Sequence, residues 1–498
     1  MQSTPLLLGL VCAFLVATQI HAVSLADIAP PGVTTKHHFH NKHVAGKHQV
    51  HIPWRNTLKQ QVANLGLTAD VTATIEESLF VKICNTVVPL INKYVQGLVI
   101  PGESQKHFSF DNVVIQQFDI QSISITFASP STVSLSLSQI SFAIPQTHFD
   151  VFTKILFIKL SCSGNFWASM SGTTISLSMS ASESNGDLVF GDAQSSVAWG
   201  DLNINHDFPN FFCKIGQDII QLFIGNINNL IKKTVENDIP AKIGPMVQTA
   251  LDTALAKLPL DFVSQPQVTS NSISLTVDLL GHPAGVAKLK GPLHAARTRA
   301  IDPRDLELEI PETALNNLLL FAQQEGALNM NFTDKKFNTS VIKTIFPTVY
   351  AQCPDCPFAI EINAIDAPFV TTTSDSIGIT VNQGILGLNL AAADGTIIPF
   401  VDLWVNASLS VNGVNITSAN AVYFQLALGD FSLGIRESSI GPFDISLISS
   451  IAAFALQDVV IPQFNQRFKG IPLPAVASQA EVAISNSAVY VAFNVNLV

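Results

Sequence analysis

Residues 440–474 read Ile440-Gly-Pro-Phe-Asp-Ile-Ser-Leu-Ile-Ser-Ser-Ile-Ala-Ala-Phe-Ala-Leu-Gln-Asp-Val-Val-Ile-Pro-Gln-Phe-Asn-Gln-Arg-Phe-Lys-Gly-Ile-Pro-Leu-Pro474. The run is apolar and lacks the strict alternation of a half-exposed strand, so it is expected as one long helix over 443–468. Pro472 and Pro474 lock its exit, because proline fixes φ near −65° and pushes the residue before it out of the helical region. Asp444 and Asp458 bracket the most apolar part, which leaves it short of the roughly 18 uncharged residues that a membrane span needs. The helix is therefore expected to be covered by protein.

The neighbouring sequence supplies a cover. Phe424, Leu426 and Leu428, then Phe431, Leu433 and Ile435, alternate as strands do, and Val489, Val491, Phe493, Val495 and Leu497 form a closing strand. Leu306, Leu308 and Ile310 form another, after which Pro311 opens a helix with Leu315, Leu318, Leu319 and Ala322, stopped by Gly326. The first half shows the same order. Thr74-Ile-Glu-Glu77 has capping-box spacing, and Ile75, Leu79, Ile83, Val87, Ile91 and Val95 follow at four-residue steps, with Pro89 expected to kink the helix. Ile123, Ile125 and Phe127, Val133, Leu135 and Leu137, and Ile175, Leu177 and Met179 alternate with serine and threonine, giving sheets with one dry face. A second helical region over 215–257 carries Ile215, Ile219, Phe223, Ile227 and Ile231, then Ile243, Val247, Leu251 and Leu255 beyond Pro240. Residues 281–300 hold Gly, Pro, His, Lys and Arg without period and read as a linker. The expected organisation is α+β: a domain at 52–280 and a second at 301–498, each a sheet wrapped on a long helix, repeating an order of elements without visible residue identity.

With 13% charged and 47% apolar residues and a mean hydropathy of +0.35, the chain must bury an unusually large apolar surface. The apolar run 6–20, followed by Ala22, reads as a secretory signal peptide over 1–22. Sequons at Asn331, Asn338, Asn406 and Asn415 fit a secreted glycoprotein. Beyond Ala22 five cysteines remain, too few to scaffold a chain of this length.

A curved sheet around an apolar helix can leave a slot that side chains do not fill, and a slot lined by Ile, Leu, Val and Phe suits an acyl chain. The helix stripes nominate Leu79, Ile83, Val87, Ile219, Phe223 and Ile227 in the first half and Leu315, Leu319, Phe454 and Leu456 in the second. The same stripes equally suit a closed core.

The tail motif Ile440-Gly-Pro-Phe, the long helix and Gly470-Ile-Pro-Leu-Pro474 resemble the family of bactericidal/permeability-increasing and lipopolysaccharide-binding proteins. So do Pro31-Gly-Val33, Ser163-Gly-Asn-Phe166, Ile220-Gln-Leu-Phe223 and the run from Asn317 to Leu328, in that order and spacing. The resemblance implies an elongated boomerang of two tandem barrel-like domains, joined by a central sheet. It also implies one lipid pocket per domain, holding phospholipid-like molecules, with phospholipid or lipopolysaccharide as the expected partner; no catalysis, no cofactor and no metal are expected. Two departures stand out. The family's usual disulfide is absent, since Val197 and residues 236–239 offer no cysteine; Cys162 and Cys213 are expected to bridge instead, the alternative being two free thiols. The basic tip of lipopolysaccharide binders is reduced to Lys106, Lys154 and Lys159 in a chain of formal charge −11.

The arm over 23–51 holds six of the chain's 12 histidines, within residues 36–51. It reads as a solvated leader, or as an element that binds metal or turns cationic at low pH and then favours anionic membrane surfaces. Enzymatic motifs such as Gly-x-Ser-x-Gly, Gly-x-x-x-x-Gly-Lys-Ser/Thr and His-Glu-x-x-His are absent, and the acidity disfavours nucleic acid. Cys353-Pro-Asp-Cys356 has redox spacing, but Pro357 and the strand-like Phe358-Ala-Ile-Glu-Ile362 follow it, so a local disulfide in a turn is expected. The reading is a secreted lipid binder, with innate defence or lipid transfer as its role and a glycosylated structural protein with closed cores as the alternative.

Overall fold

The computed structural model describes residues 68–104, 107–128, 130–155, 158–207, 217–258, 260–279, 304–326 and 328–496. The signal segment, the histidine-rich arm, the linker 281–300, Lys106 and Cys213 lie outside the described residues. The described chain forms two compact units, residues 74–258 with 264–275, and residues 68–73 and 260–263 with 276–496. Strands dominate and pair antiparallel, with few helices.

The first unit is a nine-stranded sheet around Thr132–Ile155 and Ile158–Ser184, strands of 24 and 27 residues. Strands this long cannot stay flat over a small core. Register shifts between Leu137 and Ile140 and between Ile144 and Thr147 insert bulges that bend and twist them, so the sheet curls. Leu135 faces Leu177 and Ser136 faces Ser176 across the pair, which puts one row in the core and leaves the next half-buried on the other face. Helix α1 (Glu77–Val95) turns its stripe Leu79, Ile83, Val87, Ile91 and Val95 inward, and Phe80 meets Phe127 and Phe190 edge-on. The capping box is corrected: Thr74 lies inside the strand Asp70–Glu76, its hydroxyl bonded to that of Ser274 at 3.1 Å, and Glu76 stands at the N-cap without a side-chain cap. Sheet pairing holds residue 74 extended, so the helix starts only where the strand ends.

The single helical regions expected at 215–257 and 443–468 are each divided. In the first unit α2 (Gln217–Lys233) passes through a π-helical segment, Thr234–Asp238, into α3 (Pro240–Leu255). In the second unit α6 (Ser446–Phe454) passes through Ala455–Val460, also π-helical, into α7 (Ile461–Arg467). Pro240 and Pro462 explain both. Each lacks the N–H that an α-helix needs and crowds the carbonyl four residues back, so the turn before it widens; Ile239 N–H bonds to Thr234 O, five residues back, at 2.9 Å. The repetition of this device is the clearest mark of duplicated element order.

The second unit contains a seven-stranded sheet in the order Met330–Asn338, Pro357–Ala364, Ile377–Ala391, Ile397–Ile416, Ala421–Ser438, Ile471–Pro472, with Phe369–Thr372 added to Ile377–Ala391. Helix α4 (Glu312–Gln324) starts after the strand Leu306–Pro311 and ends at Gly326, whose φ of +67° is a left-handed C-terminal stop. Gly470 takes φ +89° after α7, and a Cβ there would stand 3.0 Å from Val422 O, so only glycine lets Ile471–Pro472 join the sheet. A short helix α5 (Pro347–Gln352) leads to Cys353. The third sheet has six strands in the order Gln267–Val268, Ser272–Asp278, Asp70–Glu76, Leu306–Pro311, Ala488–Val495, Ala477–Ser485.

Candidate apolar binding cavity

The second unit holds a cavity of about 110 Å³ between α4, the π segment with α7, and the inner face of the seven-stranded sheet. Leu319 and Leu328 line it from α4 and its exit; Leu456, Val460, Ile461 and Phe464 line it from the opposite helical segment. The strands contribute Ile362, Ile379, Ile385, Leu386, Val405 and Ala407, with Val381, Leu409, Leu426 and Leu428 beyond. Asn363 is the one polar side chain in the lining, and its amide is turned to the Glu361 carboxylate at 3.0 Å. The cavity therefore offers a ligand no charge and almost no hydrogen bonding. A water-sized position needs roughly 10–15 Å³ by the same measure, so the space holds about seven to eleven such positions, a row of methylenes.

Strand and helix positions are fixed by polar clamps outside the lining. Asn465 on α7 donates to Leu426 O and accepts from Leu426 N–H, both at 2.9 Å, tying the helix to the sheet. Asn316 on α4 does the same for Val370, at 3.1 and 2.6 Å. Neighbouring packing is dense: Phe337 lies 4.6 Å from Phe358, and Phe346 meets Phe400 edge-on.

Of the stripe residues, Leu319 and Leu456 line this cavity, while Leu315 is buried on α4 away from it. Phe454 is corrected: it is 45% exposed, its ring tilted against that of Phe337 at 5.3 Å. Residues two apart on a helix point roughly 200° apart, so Phe454 and Leu456 cannot face one cavity. The strand residues that form most of the wall were not nominated, because only register reveals which strand positions share a curved face with a helix.

In the first unit Leu79, Ile83, Val87, Phe223 and Ile227 are all buried. Phe223 is packed in an aromatic cluster, stacked on Phe149 at 4.0 Å and edge-on to Phe166 and Phe108 at 5.7 and 5.9 Å. The side chains of Ile219, Lys154 and Lys159 lie outside the described set, as Lys106 does altogether.

Cys353 and Cys356 form a disulfide, and Thr339 pins the turn, donating to Cys353 O at 2.7 Å and accepting from Cys356 N–H at 3.1 Å. Cys162 is disulfide-bonded, and Cys84 is a free thiol whose burial pushes its pKa up to about 12. Near Val197, where the resembled family has a disulfide, Trp199 donates to Glu236 at 2.8 Å and Lys232 sits 5.7 Å from the indole ring. Asn331, Asn406 and Asn415 are exposed on strands, whereas Asn338 is half-buried and caps Ser340. Among the described residues no group of three or more His, Cys, Asp or Glu could hold a metal, and no helix is long and apolar enough to cross a membrane.

Residues 296–497 match the model of the C-terminal domain of the LBP/BPI/CETP family. A BPI/LBP family protein of Arabidopsis thaliana is 21% identical over 447 residues, covering 84% of this chain and 89% of its own. The bactericidal permeability-increasing protein of Rattus norvegicus is 23% identical over 366 residues, 66% of this chain and 71% of its own. A crystal structure of lipopolysaccharide binding protein superposes with a TM-score of 0.50 at 17% identity, over 86% of this chain and 98% of that one, which shows the fold.

Proposed function

Because this chain belongs to the LBP/BPI/CETP family, whose C-terminal domain residues 296–497 carry, we propose that it is a secreted carrier holding an acyl chain of a phospholipid-like molecule in the cavity of the second unit. The observation that supports this is the lining itself, in which a single amide stands among aliphatic and aromatic side chains. A ligand held there is held by its methylenes. At roughly 0.8 kcal/mol for each, eight of them contribute about 6 kcal/mol before the cost of association. The stripes Leu79, Ile83 and Val87 on α1 and Ile227 on α2 are the counterpart surface for a second acyl site in the first unit. Exposed Asn331, Asn406 and Asn415 suit glycan on a secreted protein.

Relatives of this chain are named for lipopolysaccharide binding and bactericidal activity. In this chain a formal charge of −11 opposes an electrostatic grip on phosphate, so burial of methylenes is the stronger source of affinity. Protein purified without detergent should release lipid on organic extraction, identified by mass spectrometry. A protein that yields none, and that takes up no fluorescent fatty acid, is a structural glycoprotein with closed cores, and the proposal fails. Binding to lipopolysaccharide should be weak, should fall with salt and should rise between about pH 7.5 and 5.5 as histidines protonate. Tight binding at pH 7.5 in high salt, unchanged on removal of residues 36–51, would contradict the electrostatic part.

A further inference from the structure

The strand Ile377–Ala391 changes partner along one edge. Pro357–Ala364 pairs with it as far as Ala364 opposite Gly384, and Phe369–Thr372 takes over from Phe369 opposite Thr380. Residues 381–383 are skipped by both, and the chain crosses the gap as an arch over 365–368. The strand is distorted at the same place, with a register shift between Val381 and Gly384 on its other edge and φ +53° at Gln383. Ala364 at the end of the strand Pro357–Ala364, Pro368 from the arch, and Ile379, Val381 and Gly384 from the strand Ile377–Ala391 line the cavity. The interruption in the sheet therefore lies in the cavity wall.

Helix α4 holds both feet of the arch. Gln323 donates to Ile365 O at 2.8 Å, and Asn316 binds Val370 in both directions at 2.6 and 3.1 Å. Ile365 and Phe369, at the two ends of the arch, are 44% and 45% exposed. Between 361 and 385 the charged residues are Glu361, Asp366 and Asp375, all acidic.

The geometry points to this arch as the entrance of the cavity, docking through Ile365 and Phe369 on a neutral or zwitterionic lipid surface from which an acyl chain passes inward. This rests on the reading that the cavity holds an acyl chain. Ile365 and Phe369 each stand next in sequence to a lining residue, Ala364 and Pro368, so an exposed apolar residue borders the apolar cavity at each end of the arch and shortens the path that methylenes travel through water. With no Lys or Arg between residues 361 and 385 to attract phosphate, and Glu361, Asp366 and Asp375 to repel it, an anionic surface is the wrong partner.

The test uses the full chain and two deliveries: a fluorescent fatty acid dissolved in water as monomer, and a pyrene-labelled phosphatidylcholine presented in phosphatidylcholine vesicles. The double variant Ile365→Ser with Phe369→Ser should load from vesicles about tenfold more slowly, equivalent to about 1.4 kcal/mol. Its affinity for the aqueous probe and its melting temperature should stay those of the parent. Loading from vesicles at the parental rate, with the aqueous probe bound, overturns the arch alone. A parent chain that binds neither probe overturns the cavity reading and the arch with it. Doping the vesicles with phosphatidylglycerol at low salt should slow loading; acceleration overturns the neutral surface.

Discussion

Ala407→Phe separates an open acyl cavity from a closed core. Ala407 lines the cavity from the strand Ile397–Ile416, opposite Phe431 of the neighbouring strand. A phenyl group placed there adds roughly 100 Å² of apolar surface removed from water, worth about 2.5 kcal/mol at 25 cal/mol per Å². Loss of rotamer freedom takes back roughly 0.5–1 kcal/mol, leaving about 1.5–2 kcal/mol of added stability in the lipid-free protein. For a unit of this size that is a rise of about 3–8 °C in melting temperature. The ligand meets the opposite effect. Six ring carbons take about six of the roughly seven to eleven methylene-sized positions, and at about 0.8 kcal/mol each some 5 kcal/mol of ligand burial is lost. That is more than a thousandfold in affinity. The assay compares delipidated proteins by differential scanning fluorimetry and, separately, lipid recovered after reloading, because bound lipid itself raises the melting temperature. A variant that melts lower than the parent and still carries a full complement of lipid would refute the reasoning, since it would mean that the space at Ala407 is neither empty nor the ligand's.

Phe223→Ala should lower stability by about 3–5 kcal/mol, read by urea denaturation, because its ring is wedged among Phe108, Phe149 and Phe166; a loss under about 1 kcal/mol would show the cluster to be loose. Peptide mapping without reduction should recover Cys353 linked to Cys356 and Cys162 linked to Cys213, while Cys84, with its pKa near 12, should alkylate only after denaturation. Asp252 sits above its ordinary pKa because burial outweighs the hydrogen bond from Phe190 N–H at 3.2 Å. A raised folded-state pKa means that ionisation costs the fold stability, so Asp252→Asn should raise the melting temperature at pH 7, and the gain should vanish as pH falls below the carboxylate range. A gain that persists at low pH would show that charge is not its cause.

The sequence by itself determined the main strands and the long helical regions, and therefore the class of fold, although residues 74–76, expected at a helix start, are strand. Alternation in Val133, Leu135 and Leu137 or Leu306, Leu308 and Ile310 has a period that a helix cannot satisfy, and the four-residue stripe from Leu79 to Val95 has one that a strand cannot. Gly326 marked a helix exit in the sequence, and its left-handed backbone, φ +67°, admits little else. The tail from Ile440 to Pro474 was legible down to its extended exit, but not its π turn. Proline dictates that a helix be disturbed, and packing decides whether it kinks, breaks or widens. The cavity was decided by tertiary structure. Leu319 and Leu456 could be nominated because each lies on a helix stripe, while Phe454 was nominated with them and faces away. Ile379, Val405 and Ala407 could not be nominated, because the face that a strand residue shares with a helix depends on register, bulges and curl over a long sheet. An empty volume has no residue of its own. It is what remains when all the surrounding side chains have been placed, and a periodic pattern is the same whether the space behind it is filled or open.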